Sequence, residues 1–454
     1  MPNFAFHVPI FLFFLVSCVN AHPAGHVKDD TSNAGFTVNA MAPLFIATEA
    51  GWQAFETDLV WAHDHGVTAI STDVWWGFIE DDPDKGWAYY DRVLGLVTEA
   101  GLKWMPILSF HSCGGNVGDG GDNRCGEGPA IPLPHNIWTD LSAAHPQWSP
   151  EDFKYKDELG RVDDEVISVW ATPHALDKYK AFMKKFRDHF RNKAGDIAEV
   201  NISLGPSGEL RYPAYRLNSP WYDIGMFQAK SKLAEDSFQK AMLKNPEQNI
   251  ATPTSTRDFF TTGDTAYARA FLDWYNSSLV AHGDLLMGAA REVFTNDPWF
   301  AGVPLGAKIP GVHWRIGPYG VGLREAEITA GLITTHKVSD ANGYAKVIAL
   351  WKQNNFVLHF TCLEMPNFDE MNSEDAKSNS MAKGLVFWIA KEAKRQGVAI
   401  KGENALEIGS NDMVSWQNLD NAVKNSSYEG ITFLRLSNLP NSQHAAQYIS
   451  SWVH

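Results

Sequence analysis

The chain has 454 residues, 44% of them hydrophobic and 20% charged, which describes a globular protein with room for one elaborate domain or two to three ordinary ones. Lys and Arg number 38 against 53 Asp and Glu, and the net charge of −15 sets nucleic acid and anionic membrane surfaces aside as partners.

The first 21 residues, MPNFAFHVPIFLFFLVSCVNA, read as a secretory signal. Residues 11–16 form its apolar centre, and the triplet Val19, Asn20, Ala21 meets the small-residue cleavage rule. The run is too short for a permanent membrane span. The mature chain is expected to begin near His22, outside the cell, with a flexible polar segment over 22–39. Residues 40–454 then read as a single domain with no appended binding module, and a monomer is expected.

From residue 40 onward, short apolar runs alternate with amphipathic stretches, the pattern of a parallel β/α architecture. The strand candidates are PLFIAT (43–48), VTAISTDVWW (67–76), KWMPILSFH (103–111) and AEVNISL (198–204), then AGVPLGAKIPGVHW (301–314), NFVLHFTCLEM (355–365), VAIKGENAL (398–406) and ITFLRLSNL (431–439). Helical periodicity runs through 51–66, 89–101 and 176–192, among others. Eight strand–helix units in one domain predict a (β/α)8 barrel. Long stretches after the third strand (112–170) and the fourth (212–300) predict loops that build a lid and a cleft.

Cys113 and Cys125 close a short Gly-rich loop, which in an oxidising compartment favours a disulfide and leaves Cys362 as a single buried thiol. The sequons at Asn276 and Asn425 are candidates for glycans, whereas Asn201 falls on a core strand.

Polar side chains recur at the ends of these apolar strands: Asp73, His111, Glu209, Lys308, Thr361 with Glu364, Glu403 with Asn404, and Arg435. A polar group in an apolar strand is costly unless partnered. So many on one barrel face, where barrel enzymes carry their chemistry, predict an active site.

The motifs TDVWWGFIE (72–80), SFHSCGGNVGD (109–119), LGPSGELRYPAY (204–215), AKIPGVHW (307–314), FTCLEM (360–365), GENAL (402–406) and TFLRL (432–436) resemble, in order, those of the β-amylases, glycoside hydrolase family 14, and the bacterial-type members most of all. The resemblance implies an exo-acting, inverting hydrolase that cleaves α-1,4-glucosidic bonds of starch from the non-reducing end and releases β-maltose. It implies Glu209 as general acid and Glu403 as general base, on opposite faces of one sugar ring. Glu209 is expected to be the protonated member, walled by Trp and Tyr, with Glu403 ionised beside Lys308 or Asn404. Sugar-binding roles carry over to Asp73, His111, Asp119, Lys308, His313, Trp314, Thr361, Asn404, Ala405, Leu406 and Arg435, and stacking faces to Trp75 and Tyr215. Arg211 and Arg435 are expected to brace carboxylates, and the glycines at 114–121 to form a mobile lid. No cofactor is implied for catalysis. Bacterial-type members can hold a structural calcium, for which Glu80, Asp84 and Asp177 are the oxygen ligands by type. Three rival readings stand beside it: a retaining glycosidase with closer carboxylates, a non-catalytic glucan-binding barrel, against which both glutamates are present, and a structural secreted protein, which would leave so many strand-end polar groups unexplained.

Overall fold

The first barrel strand does not lie in the apolar run PLFIAT. In the computed structural model, which describes residues 35–115, 123–215, 224–243, 251–316, 324–335, 341–367 and 379–453, β1 is Thr37–Met41. It occupies the end of the segment expected to be flexible. Asn39 interrupts its apolar pattern and hides it from a hydropathy reading, yet the side chain is buried and accepts from Thr68 Oγ1 at 3.1 Å. Residues 43–48 form the connection to helix α1 (Glu49–Asp64). They are apolar for another reason: Leu44 and Phe45 pack on Trp75, Ile131 and the two cysteines of the neighbouring loop.

The other strands follow the expected order: β2 (Ala69–Trp75), β3 (Lys103–Ser109), β4 (Val200–Ile202), β5 (Leu305–Ile309), β6 (Val357–Phe360), β7 (Ile400–Glu403) and β8 (Tyr428–Phe433). Each pairs in parallel with its neighbours, and β8 pairs with β1 to close the barrel. The eighth strand starts earlier than 431, which leaves Arg435 in the loop beyond it. Buried on both faces, such strands read as near-continuous apolar runs, so seven of the eight were visible in sequence.

Between the strands run long amphipathic helices, among them α2 (Pro83–Glu99), α3 (Thr172–Phe190) and α4 (Ala266–Phe294). Local signals set their starts. Thr48 Oγ1 accepts from Gly51 N to cap α1, and Asp82 accepts from Lys85 N to cap α2, with Pro83 at its first position. Trp104, Trp351, Trp416 and Trp452 are fully buried in the core. Among the described residues no helix is long and apolar enough to cross a membrane.

Cys113 and Cys125 form the expected disulfide, with a Cα separation of 5.3 Å, and Cys362 is a buried free thiol. At Gly126 (φ +54°) a Cβ would lie 2.5 Å from Phe45 O, so the loop docks there only with glycine. Most of the expected lid, including Asp119, lies outside the described residues. The sequon at Asn276 is corrected. That side chain is buried within α4 and donates to Gly331 O at 2.7 Å, so no glycan fits; Asn425 is exposed and Asn201 buried.

Candidate active site

The C-terminal ends of the strands open into a cavity of about 630 Å³, within the range of small-molecule sites. Asp73, His111, Glu209, Lys308, His313, Trp314, Thr361, Glu403, Ala405, Leu406 and Arg435 all line it, together with Arg211 and Tyr215. They come from seven strands or the loops that follow them, which is the convergence that the sequence predicted.

Glu209 does not end its strand. β4 stops at Ile202, and a tight turn carries the chain back over the barrel mouth. Gly205 is required there by close approach, because a Cβ would stand 2.4 Å from Glu209 O. Ser207 (φ 53°) and Gly208 (φ 81°) are both left-handed. For serine that conformation costs about 1–2 kcal/mol. Its amide is held by Glu165 Oε1 at 2.6 Å and its hydroxyl by Arg211 Nη2 at 3.3 Å. The turn sets Glu209 in parallel register beside Lys308 of β5, and Leu210 N donates to Lys308 O at 2.9 Å.

The wall around Glu209 differs from expectation. Its carboxylate takes a hydrogen bond from Arg211 Nε at 2.8 Å, and that buried guanidinium lies 4.8 Å over the Tyr215 ring. Burial works against the Arg211 charge, but Tyr215, Glu209 and Glu165 outweigh it and hold the guanidinium well above its ordinary range. Arg211 therefore braces a carboxylate as predicted. Arg435 does not do so among the described residues: its Nη1 lies 3.5 Å from Met41 Sδ.

Glu403 ends β7 and is buried, accepting from Lys308 Nζ at 2.7 Å. Burial draws the Lys308 ammonium down, and Glu403, then Glu209 and Asp73, more than offset it, so the lysine stays charged. Lys308 thus stands between the two glutamates. Asn404 is a correction. It is fully buried, and its amide bonds Leu406 O and Leu434 O at 2.8 Å and takes Leu434 N at 2.9 Å. It staples the loops after β7 and β8 and does not line the cavity.

Glu364, which carried no assigned role, holds the next two residues. Its carboxylate accepts from Ala405 N at 3.0 Å and Leu406 N at 2.8 Å, fixing the loop from which Leu406, 60% exposed, projects over the cavity. Burial pushes this carboxyl up to about 7; the amides of Leu406 and Ala405 oppose the rise and the Glu403 charge adds to it. The folded protein therefore binds a proton here that the unfolded chain gives up near pH 4.5. Stability falls as pH rises through about 4.5 to 7, by about 3 kcal/mol in all. Glu364→Gln is expected to flatten that slope. Denaturant titrations of both proteins at pH 5 and pH 8 check it, and parallel slopes would contradict the assignment.

Asp73 accepts from Ser109 Oγ at 2.7 Å. His111 Nδ1 lies 3.0 Å from Ser203 Oγ and His313 Nδ1 2.6 Å from Ser380 Oγ. Burial pushes each imidazole down to about 4, so both are neutral at neutral pH, and with Nδ1 on a serine hydroxyl each keeps Nε2 as its one remaining polar atom. Trp314 packs edge-on to Tyr215 at 4.8 Å, and Thr361 Oγ1 accepts from Cys362 N at 2.7 Å. Trp75 also lines the cavity but is only 1% exposed, its indole bonded to Leu44 O and its ring edge-on to His111 at 5.2 Å. Beneath the cavity lies a cluster that sequence reasoning missed. Glu199 takes His359 at 2.5 Å, Lys401 at 2.8 Å and Asn201 at 3.0 Å. Burial alone would raise the Glu199 carboxyl, but His359 and Lys401 bring it down to about 2.

The calcium expectation does not fit. Glu80 gives both carboxylate oxygens to Lys185 Nζ, at 2.9 and 2.7 Å, so an ammonium already satisfies it. Asp84 and Asp177 are exposed, and among the described residues no group of three or more His, Cys, Asp or Glu could hold a metal ion.

A model of glycosyl hydrolase family 14 matches residues 40–454. The chain belongs to glycosyl hydrolase family 14. It is 35% identical over 437 residues to a thermophilic β-amylase of Thermoanaerobacterium thermosulfurigenes, covering 91% of this chain and 73% of that one. It is 34% identical over 431 residues to a β-amylase of Cytobacillus firmus, covering 89% and 83%. Among solved structures, the catalytic domain of β-amylase from Paenibacillus polymyxa superposes with a TM-score of 0.77 at 31% identity, covering 93% of this chain and 99% of that one. A GH42 β-galactosidase at 9% identity and a TM-score of 0.53 shares the barrel fold alone. Family 14 membership thus agrees with the eight-stranded barrel.

Proposed function

We propose that this protein is a β-amylase, cleaving α-1,4-glucosidic bonds of starch and related glucans from the non-reducing end and releasing β-maltose. The observation that carries the reading is the placement of Glu209 and Glu403 on one cavity of a family 14 barrel, from the turn after β4 and the end of β7, with the Lys308 ammonium between them. Glu209 protonates the glycosidic oxygen as the bond to C1 breaks. Glu403, hydrogen-bonded to Lys308, takes a proton from a water that attacks C1 from the opposite face, and the configuration inverts. Neutral His111 and His313, with Asp73, bind sugar hydroxyls, and Leu406 and Trp314 supply apolar contact. Support for a secreted enzyme comes from the leader-like residues 1–21 and from the Cys113–Cys125 disulfide, which persists in oxidising surroundings.

Proton NMR of the anomeric region during early turnover of soluble starch tests this. The β-maltose doublet is expected first, with the α-anomer growing in later by mutarotation. Early α-maltose would mean a retaining mechanism and would overturn the roles given to the two glutamates.

A further inference from the structure

Between the loop after β3 and the turn that presents Glu209 stands a carboxylate with no part in the scheme above. Glu165 Oε1 accepts from Ser207 N at 2.6 Å, and its backbone oxygen takes Ser112 N at 2.8 Å. One residue thus ties the chain just past His111 to the turn that carries Glu209. Its charge also acts on the Arg211 guanidinium, whose Nε donates to Glu209. We propose that Glu165 is a positioning residue for Glu209: it fixes the left-handed turn at Ser207 and Gly208 and divides the Arg211 charge between two carboxylates.

Charge count supports this. An undivided guanidinium on Glu209 would favour its carboxylate, the wrong form for a general acid. Among the described residues, Lys308 of β5 and the Cys362 thiol past β6 also sense the Glu209 charge. Lys308 is cationic but hydrogen-bonded to Glu403. Burial raises Cys362 far above its usual range, so it is neutral, as is His111. Glu165 is therefore the second anion on the cation that contacts the acid. This rests on the reading of Glu209 as that acid.

Glu165→Gln keeps a carbonyl oxygen for Ser207 N and removes the charge. KM for maltopentaose is expected to stay within about twofold, while the alkaline limb of the kcat profile moves down by about 0.5–1 pH unit. Turnover of α-maltosyl fluoride, whose leaving group needs little protonation, should fall much less than turnover of starch. Glu165→Ala also releases the turn and should lower kcat on starch by roughly tenfold more. If that variant does not fold, Glu165→Gln alone decides. A wild-type profile for Glu165→Gln would overturn the proposal, and so would equal losses on fluoride and starch. Failure of the underlying reading is distinguishable: Glu209→Gln would then turn over starch as fast as the wild type.

Discussion

Glu209→Gln is expected to lower kcat on soluble starch by about 10²- to 10⁴-fold, the range for removal of a positioned general acid. KM should change little, because the amide keeps the shape of the carboxylate and Arg211 keeps its contact with Ser207 Oγ. The loss should shrink for maltosyl donors whose leaving groups depart without protonation. Steady-state kinetics on starch and on maltosyl fluoride measure both, and a variant within tenfold of wild type on starch would remove Glu209 from the mechanism.

Glu403→Ala is expected to fail in two ways at once. Without the base, the attacking water loses its proton acceptor, and kcat should drop by about 10²- to 10⁴-fold. Added azide, a nucleophile that needs no deprotonation, should restore part of the turnover and leave β-maltosyl azide. The second failure is structural. Glu403 is the hydrogen-bonded partner of Lys308, and a buried ammonium stripped of its partner costs about 3 kcal/mol. A denaturant titration should show that loss, and Lys308→Met combined with Glu403→Ala should recover much of it. Stability equal to wild type in the single variant would mean that Lys308 finds another carboxylate.

The sequence disclosed those parts of the site that sit on regular structure. Glu403 and Lys308 were visible because each is a charged residue in or at the end of an apolar strand, where only function or pairing explains it. Asp73 and His111 stood out for the same reason. β1 was missed because Asn39 breaks its apolar pattern, while the nearby run at 43–48 is apolar from packing against the disulfide loop. Asn404 carried a motif position but has its hydrogen bonds filled by backbone. Glu165 and Glu199 could not have been singled out. The first lies in an acidic stretch that reads as a solvated loop, and the second is one polar residue on a short strand approach. Their meaning comes from Arg211 and His359, which only the fold brings near.

The pairing of β1 with β8 has a consequence for how the molecule comes into being. Thr37 to Ala40 line up with Gly430 to Phe433, and Phe36 lies against Trp452 of the last helix at 6.3 Å. The first strand to be synthesised thus waits for nearly the last, and the ring cannot shut on a partial chain. A polypeptide of this order stays open, with a high contact order, until its C-terminal strand is available. The same pairing also means that the two ends of the barrel are neighbours in space, so the fold would tolerate being joined there and cut elsewhere.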